Sequence, residues 1–299
     1  MKVTITGTSG FVGTNLLEYF DNSKFSVSSL SARYKPVQEF FLQGYALIHL
    51  AGKAHDLRNV STPNDYYESN FELTKQLFDS FIKSDLSVFI FMSTVKACAD
   101  EVKESLKEED IPNPKTHYGL SKQKAEEYIL NKKLPVNKRA YILRPCMIHG
   151  PNNKGNLNLL YKLVKKRIPW PLGNYPNQRS FLSIDNLMFC VNEFLSNDKI
   201  SSGIYNLADD KTLSTNEIIT LISNELGVET RIFKVPKFII SFVAKLGDII
   251  RLPINNEKLQ KLTSNYVVSN LKVKNSIKKI LPVSSEEGMI KTINSFKKK

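Results

Sequence analysis

The chain has 299 residues, 41% of them hydrophobic, enough to build one large domain or two closely joined ones. Its formal charge of +13 is concentrated in residues 152–179, with six Lys/Arg and no acid, and in residues 251–299, with eleven Lys/Arg and three acids. Such tracts suit an anionic partner, but no zinc-finger, basic-zipper or RNP-like pattern accompanies them, which argues against nucleic acid, and no apolar run of about 18 residues predicts a membrane span.

The N-terminus, MKVTITGTSG, enters a β-strand at once and lacks the apolar core of a signal peptide. Cys98, Cys146 and Cys190 are odd in number and far apart, so they give no disulfide framework and no zinc spacing. Together these place the chain in a reducing cytoplasm, with no metal expected. The segment GTNLLEYFDN reads as a helix with Leu16, Leu17 and Phe20 on one side. FSVSSLSA and YALIHLAG read as the second and third strands. NFELTKQLFDSFIKS is an amphipathic helix with Leu73, Leu77 and Phe81 at spacing four. SVFIFMST is nearly continuous apolar sequence, as a buried parallel strand should be. A helix free of Gly and Pro from Ser121 to Leu130 follows, and then the strand AYILRP. Strands alternating with helices predict an α/β fold, a doubly wound parallel sheet over residues 1–151.

After Pro151 the composition shifts to Gly, Pro, Asn and basic residues around one amphipathic helix, so residues 152–299 are expected to form mainly a smaller α/β domain. SIDNLMFCVNEFLS reads as a helix and GIYNLAD as a strand, and residues 180–208 are expected to return to the first domain. TNEIITLISNELG predicts a helix capped by Thr215 and stopped at Gly227. VPKFIISFVAKLGDIIRLP is an apolar helical stretch. Its thin polar face favours a core helix, or a helix of the second domain, over one lying on a membrane.

Gly7, Gly10 and Gly13 stand at G-x-x-G-x-x-G spacing in TGTSGFVG, between the first strand and the first helix. That context marks a dinucleotide site: glycine lets the backbone turn tightly and approach a diphosphate, and the helix N-terminus offers oriented N–H groups around Phe11 and Val12. A carboxylate for a free ribose 2′-hydroxyl belongs at the end of the second strand, yet none lies between Asp21 and Glu39. Ser31 and Arg33 are there instead, and an arginine suits a 2′-phosphate, so NADP(H) is favoured over NAD(H).

In HYGLSKQKAEE, Tyr118 and Lys122 are four apart, on one face of their helix. FMST puts Ser93 and Thr94 at the carboxyl edge of the fourth strand, where open α/β sheets hold ligands. A tyrosine needs its pKa of about 10 lowered to act as a base near neutrality, and an adjacent ammonium would do that. Thr94 or Ser93 could hold a substrate oxygen while a nicotinamide exchanges hydride.

The pieces TGTSGFVG, IHLAGKAH, ESNFELTKQL, FMSTVKA, YGLSK, ILRPCMIHGP and RSFLSIDNL run in one order over most of the chain. In this the chain resembles the extended short-chain dehydrogenases/reductases, the NAD-dependent epimerase/dehydratases. The resemblance implies a Rossmann domain with a smaller α/β domain for a nucleotide sugar, and Thr94, Tyr118 and Lys122 as the catalytic set. It further implies that Leu50, Ala51 and Gly52 line the cofactor, that Asn70 braces the site, that Lys122 also holds the nicotinamide ribose and that Pro145 flanks the nicotinamide. For substrate it implies Asn156 facing the sugar and Arg179 on the diphosphate of a UDP-sugar. Lys96 is a further candidate to reach that substrate. Homodimers built on the helices of Asn70–Ser84 and Tyr118 are common in the family.

Many members continue the fourth strand with V-Y-G, where this chain has TVKACAD. STVKA looks like a subgroup acting on UDP-N-acetylhexosamines in surface-polysaccharide synthesis. Its two activities are reduction of a 4-keto-6-deoxy sugar and 4-epimerisation. The missing carboxylate after the second strand leans toward an NADPH-dependent reductase, with the 4-epimerase, holding NAD tightly, as the alternative. A non-catalytic nucleotide-binding module is the third possibility, opposed by the intact Thr94, Tyr118 and Lys122 set.

Overall fold

The computed structural model describes residues 1–21, 23–54, 62–153, 155–250 and 255–297. Asn22, His55 of IHLAGKAH, Lys154 of NNKGN, the end of the apolar stretch at Arg251–Pro253 and Lys298–Lys299 of the tail lie outside the described residues.

Six strands form one parallel sheet: β1 (Lys2–Thr6), β2 (Ser26–Leu30), β3 (Ala46–His49), β4 (Val88–Met92), β6 (Arg139–Pro145) and β9 (Gly203–Leu207). The order across the sheet is β2-β1-β3-β4-β6-β9, and every neighbouring pair is parallel. The order reverses between β1 and its neighbours, so the crevice over the carboxyl ends of β1 and β3 is the switch point where such sheets take ligands. Between β2 and β3 the chain runs from Ser31 to Tyr45 without a helix or strand, which brings β3 directly beside β1.

The central strands are buried on both faces, and their residues alternate between two cores. Val88, Ile90 and Met92 of β4 join the core roofed by helices α1 (Phe11–Phe20) and α6 (Ile184–Ser196). Phe89 and Phe91 face the other core, with Leu73, Leu77 and Phe81 of α3 (Leu73–Lys83) and with Ala125 and Ile129 of α4 (His117–Asn131). A period of two in the strands and of three to four in the helices thus generates a three-layer sandwich. A third core lies apart, built from α5 (Asn156–Lys165), α7 (Thr215–Leu226), α11 (Ser285–Lys297) and the segments between them.

Several details depart from the pattern reading. The helix expected from Asn70 begins at Pro63, capped by Thr62 with a capping box to Asp65. It runs as α2 (Pro63–Tyr67), a π-helical turn over Glu68–Glu72, and then α3. Ser214, and not Thr215, caps α7, because its hydroxyl accepts from Glu217 N while Glu217 reaches back to Ser214 N. Gly227 does end α7, in the left-handed conformation at φ 64°. Two small parallel sheets, β7 (Met147–His149) with β8 (Phe181–Ser183) and β5 (Ser105–Leu106) with β10 (Val267–Val268), have too few residues to show a period. The apolar stretch forms α8 (Lys237–Ile250), a helix of the second half of the chain with only one side in the third core. Ile240, Ala244 and Gly247 face inward, while Phe238, Ile239, Phe242, Val243 and Leu246 are exposed.

Candidate active site

Gly7 follows β1 with φ 72°, and a Cβ there would stand 2.7 Å from the Ala51 backbone nitrogen. Any side chain would therefore push β3 away from β1. Gly13, in the first turn of α1, would bring a Cβ to 2.3 Å from the Gly7 carbonyl oxygen. Gly10 is the N-cap of α1, with no capping side chain and no acid in the first turn. The positive end of α1, at Phe11 and Val12, thus meets no negative charge from its own turn. These residues fit the diphosphate of a dinucleotide: the glycines keep the turn close to β3 and leave the backbone before α1 open to a ligand. Ser31 and Arg33 follow β2 and are both exposed.

Leu50, Ala51 and Gly52 continue from β3. Ala51 N donates to Thr6 Oγ1 (3.1 Å), and a Cβ on Gly52 would stand 2.6 Å from Asn70 Oδ1 and 3.3 Å from Lys122 Nζ. Asn70 is fully buried in the π turn. Its Oδ1 accepts from Lys53 N (2.7 Å), and its Nδ2 donates to Lys53 O and to Ser121 Oγ (both 3.0 Å). Asn70 therefore fastens the segment after β3 to α4.

Thr94 begins the short turn Val95–Ala97 at the end of β4. Its Oγ1 accepts from Lys96 N (3.2 Å), and its side chain lies near enough to the Tyr118 hydroxyl to favour the phenolate. The N-terminus of α4 presses on this turn, since a Cβ at Gly119 would lie 2.5 Å from the Lys96 carbonyl oxygen. Glycine at 119 is what lets Tyr118 come beside Thr94. One turn on, Lys122 is buried; its Nζ donates to Met92 O (2.8 Å) and lies 4.5 Å from the centre of the Phe91 ring. Ser93 donates its hydroxyl to Glu126, so that hydroxyl is already engaged. Pro145 is buried at the end of β6, opposite Leu207.

The electrostatics differ from the expected picture. Burial raises the Tyr118 pKa above its ordinary value of 10.0, and only the neighbouring Thr94 side chain opposes it. Burial also lowers the Lys122 amine from 10.5 to about 7, against the raising effect of Glu126. The lysine was expected to acidify the phenol. Instead both charged forms are penalised by the same desolvation, and Tyr118 rests as a neutral acid.

The substrate candidates separate into two places. Lys96 Nζ donates to Asp100 O (2.6 Å) and sits 4.5 Å from the centre of the Tyr266 ring. Burial lowers its pKa, Asp100 opposes this, and the nearby charges of Arg179 and Lys261 add to the lowering. Arg179 pairs through its backbone with Leu213 and Tyr266, and its guanidinium donates to the Lys261 carbonyl. Lys96 and Arg179 therefore gather around Tyr266. Asn156 is exposed in the first turn of α5, on a different element from that cluster.

Two buried networks escaped the sequence reading. Thr6 Oγ1 contacts His49 Nδ1 (2.8 Å), His49 Nε2 contacts Thr74 Oγ1 (3.0 Å), and Thr74 donates to Asn70 O (2.7 Å). Burial, with Lys122 adding to it, lowers the His49 pKa to about 3, so the ring is a neutral relay from β1 to the π turn. The other is Glu126, which takes Arg144 Nε at 3.0 Å and the Ser93 hydroxyl. The available signals were a carboxylate four residues after Lys122 and an arginine inside the apolar strand YILRP. Among the described residues, no cluster of His, Cys, Asp or Glu could hold a metal ion.

Residues 3–208 match the pattern of the NAD dependent epimerase/dehydratase family. The chain belongs to this family. It is an NAD(P)-dependent, nucleotide-sugar-modifying enzyme of the extended short-chain dehydrogenase/reductase type. It is 27% identical to the UDP-glucose 4-epimerase of Vibrio cholerae, over 99% of this chain and 95% of that protein. It is 26% identical to the N-acetyl-alpha-D-glucosaminyl-diphospho-ditrans,octacis-undecaprenol 4-epimerase of Escherichia coli O157:H7, over 91% of this chain and 84% of that one. The solved UDP-N-acetylglucosamine 4-epimerase from Bacillus cereus shares the fold, with a TM-score of 0.75 at 20% identity over 99% of each chain.

Proposed function

We propose that the chain is a 4-epimerase of a UDP-linked hexose or N-acetylhexosamine, with Thr94, Tyr118 and Lys122 as its working residues. The observation that carries this is the buried Lys122 amine, fixed on Met92 O (2.8 Å) beside Gly52, one helical turn after Tyr118 and next to Thr94 at the carboxyl end of β4, the strand adjoining β3 at the glycine-turn crevice. The two whole-length relatives, both 4-epimerases, support this over the reductase that the sequence favoured. A nicotinamide dinucleotide held at Gly7, Gly10 and Gly13, with Leu50–Gly52 and Pro145 along its path, would accept and return hydride and bring positive charge to the site. Thr94 Oγ1 orients the C4 oxygen of the sugar. With that positive charge favouring its phenolate over the neutral form held in the cofactor-free chain, Tyr118 Oη would take the C4 hydroxyl proton and give it back after the 4-keto sugar has turned its other face. Lys122, fixed on Met92 O, stands beside Gly52, where it can hold a ribose hydroxyl. Lys96 and Arg179 meet the diphosphate, and Asn156 meets the sugar if α5 lies along it.

The reductase remains the second reading because of Arg33 and the absence of a carboxylate over residues 22–38, both suited to NADPH. One experiment separates the two. The protein is incubated with UDP-GlcNAc alone, and separately with a UDP-4-keto-6-deoxy-N-acetylhexosamine and NADPH. A mixture of C4 epimers in the first, without net change in nicotinamide absorbance, supports epimerisation. NADPH consumption confined to the second overturns it in favour of reduction.

A further inference from the structure

Helix α8 is apolar around nearly its whole circumference, but only one side is covered. Ile240 and Ala244 belong to the third core, with Gly247 buried beside them. On the opposite side Phe238 and Phe242 are 74% and 62% exposed, and Ile239, Val243 and Leu246 continue the same face. Phe238, Phe242 and Leu246 are four apart, as are Ile239 and Val243, so the five form one outward stripe. Phe233, also exposed, lies on the segment that pairs with Trp170 and Leu172 and leads into the helix. Five large apolar side chains in one contiguous patch are unusual on a surface that only water covers.

The rim of the stripe is cationic. Lys234, Lys237 and Lys245 are exposed along it. Between Arg231 and Asn256 the sequence contains a single acid, Asp248, and its carboxylate is held by Asn256. A second copy of this chain is a poor occupant, because a two-fold contact through α8 would set the same lysines against each other. A layer of lipid phosphates answers both features at once: the stripe enters the headgroup region and the lysines meet anionic charge.

We propose that α8 docks the chain on the surface of an anionic bilayer, lying in the plane of the interface and not across it. No helix among the described residues is long and apolar enough to cross a membrane. Helix α8 packs on α9 (Asn256–Thr263), whose Lys261 carbonyl receives the Arg179 guanidinium. The docking helix is thus joined through one neighbour to the cluster at Tyr266. The inference stands whichever sugar the enzyme turns over.

The test is co-sedimentation of the full chain with vesicles of phosphatidylethanolamine and phosphatidylglycerol, against vesicles of phosphatidylcholine alone. Binding is expected only to the anionic vesicles. The double change Phe238→Ser and Phe242→Ser should weaken it by about tenfold or more, and Lys234→Glu with Lys237→Glu by a similar factor, with nucleotide-sugar turnover kept in both. Three outcomes would overturn the proposal: no binding to anionic vesicles, binding indifferent to both double variants, or the serine variant turning a solution dimer into monomers, which would make the stripe a contact between copies.

Discussion

Lys122 shows how a proposed catalytic position costs stability. Its ammonium is buried on the Met92 carbonyl, and its pKa drops from 10.5 to about 7. Between those two values the unfolded chain binds more protons at this position than the folded one. Stability from this group therefore rises with pH from about 7 toward 10.5, and the penalty is complete below 7. In the cofactor-free protein, Lys122→Met should raise the melting temperature relative to wild type at pH 6, and the gain should shrink steadily toward pH 10. A gain that is absent, or that grows with pH, would show the amine to be unperturbed. Tyr118 predicts the complementary kinetic result. Tyr118→Phe removes the proton carrier but leaves the glycine turn intact, so turnover should fall on the order of 10³-fold with dinucleotide affinity nearly unchanged. Turnover within tenfold of wild type would exclude the tyrosine as acid and base. The residue types at this site were legible from Y-x-x-x-K and the ST pair. The sign of the tyrosine shift was not, because it depends on how much water the folded chain excludes, which no spacing encodes.

At the scale of elements, the Glu126–Arg144 pair joins three pieces of the fold. Glu126 comes from α4, Arg144 from β6, and Ser93, at the end of β4, donates to the same carboxylate. Both charged side chains are only 2% exposed. Removing one partner leaves an uncompensated buried charge, so Glu126→Ala should cost about 3–5 kcal/mol in urea unfolding. Changing both partners to apolar residues of similar volume should cost clearly less than Glu126→Ala alone. Equal losses would mean that the pair is not coupled. Elements with a long hydrophobic period, such as α3 and β4, were readable almost residue by residue. The π turn that buries Asn70 was not, because one inserted residue per turn leaves the local propensities unchanged and is fixed by the tertiary bonds to Lys53 and Ser121. The N-cap of α7 moved by one residue for a similar reason: Ser214 and Thr215 are both good caps, and the reciprocal bond from Glu217 selects the first.

At the scale of the whole molecule, the charge read from composition acquires a place. The net +13 includes Lys96 and Arg179, brought from segments 83 residues apart to Tyr266, close enough for the arginine's charge to act on the lysine. A lysine whose charge is disfavoured by burial and by a neighbouring arginine is stabilised by a dianionic ligand, which favours its charged form as it binds. The surrounding positive field should also steer such a ligand inward, and that steering is screened over about 8–10 Å at ordinary salt. Raising NaCl from about 50 to 500 mM should therefore raise KM for the nucleotide sugar several-fold and leave kcat nearly constant. Arg179→Gln should raise KM at low salt and flatten this dependence, since part of the field has been removed with the side chain. If KM proves independent of salt in wild type, or if kcat falls in parallel with it, then the cations around Tyr266 do not bind the diphosphate, and the basic tract of residues 152–179 needs another explanation.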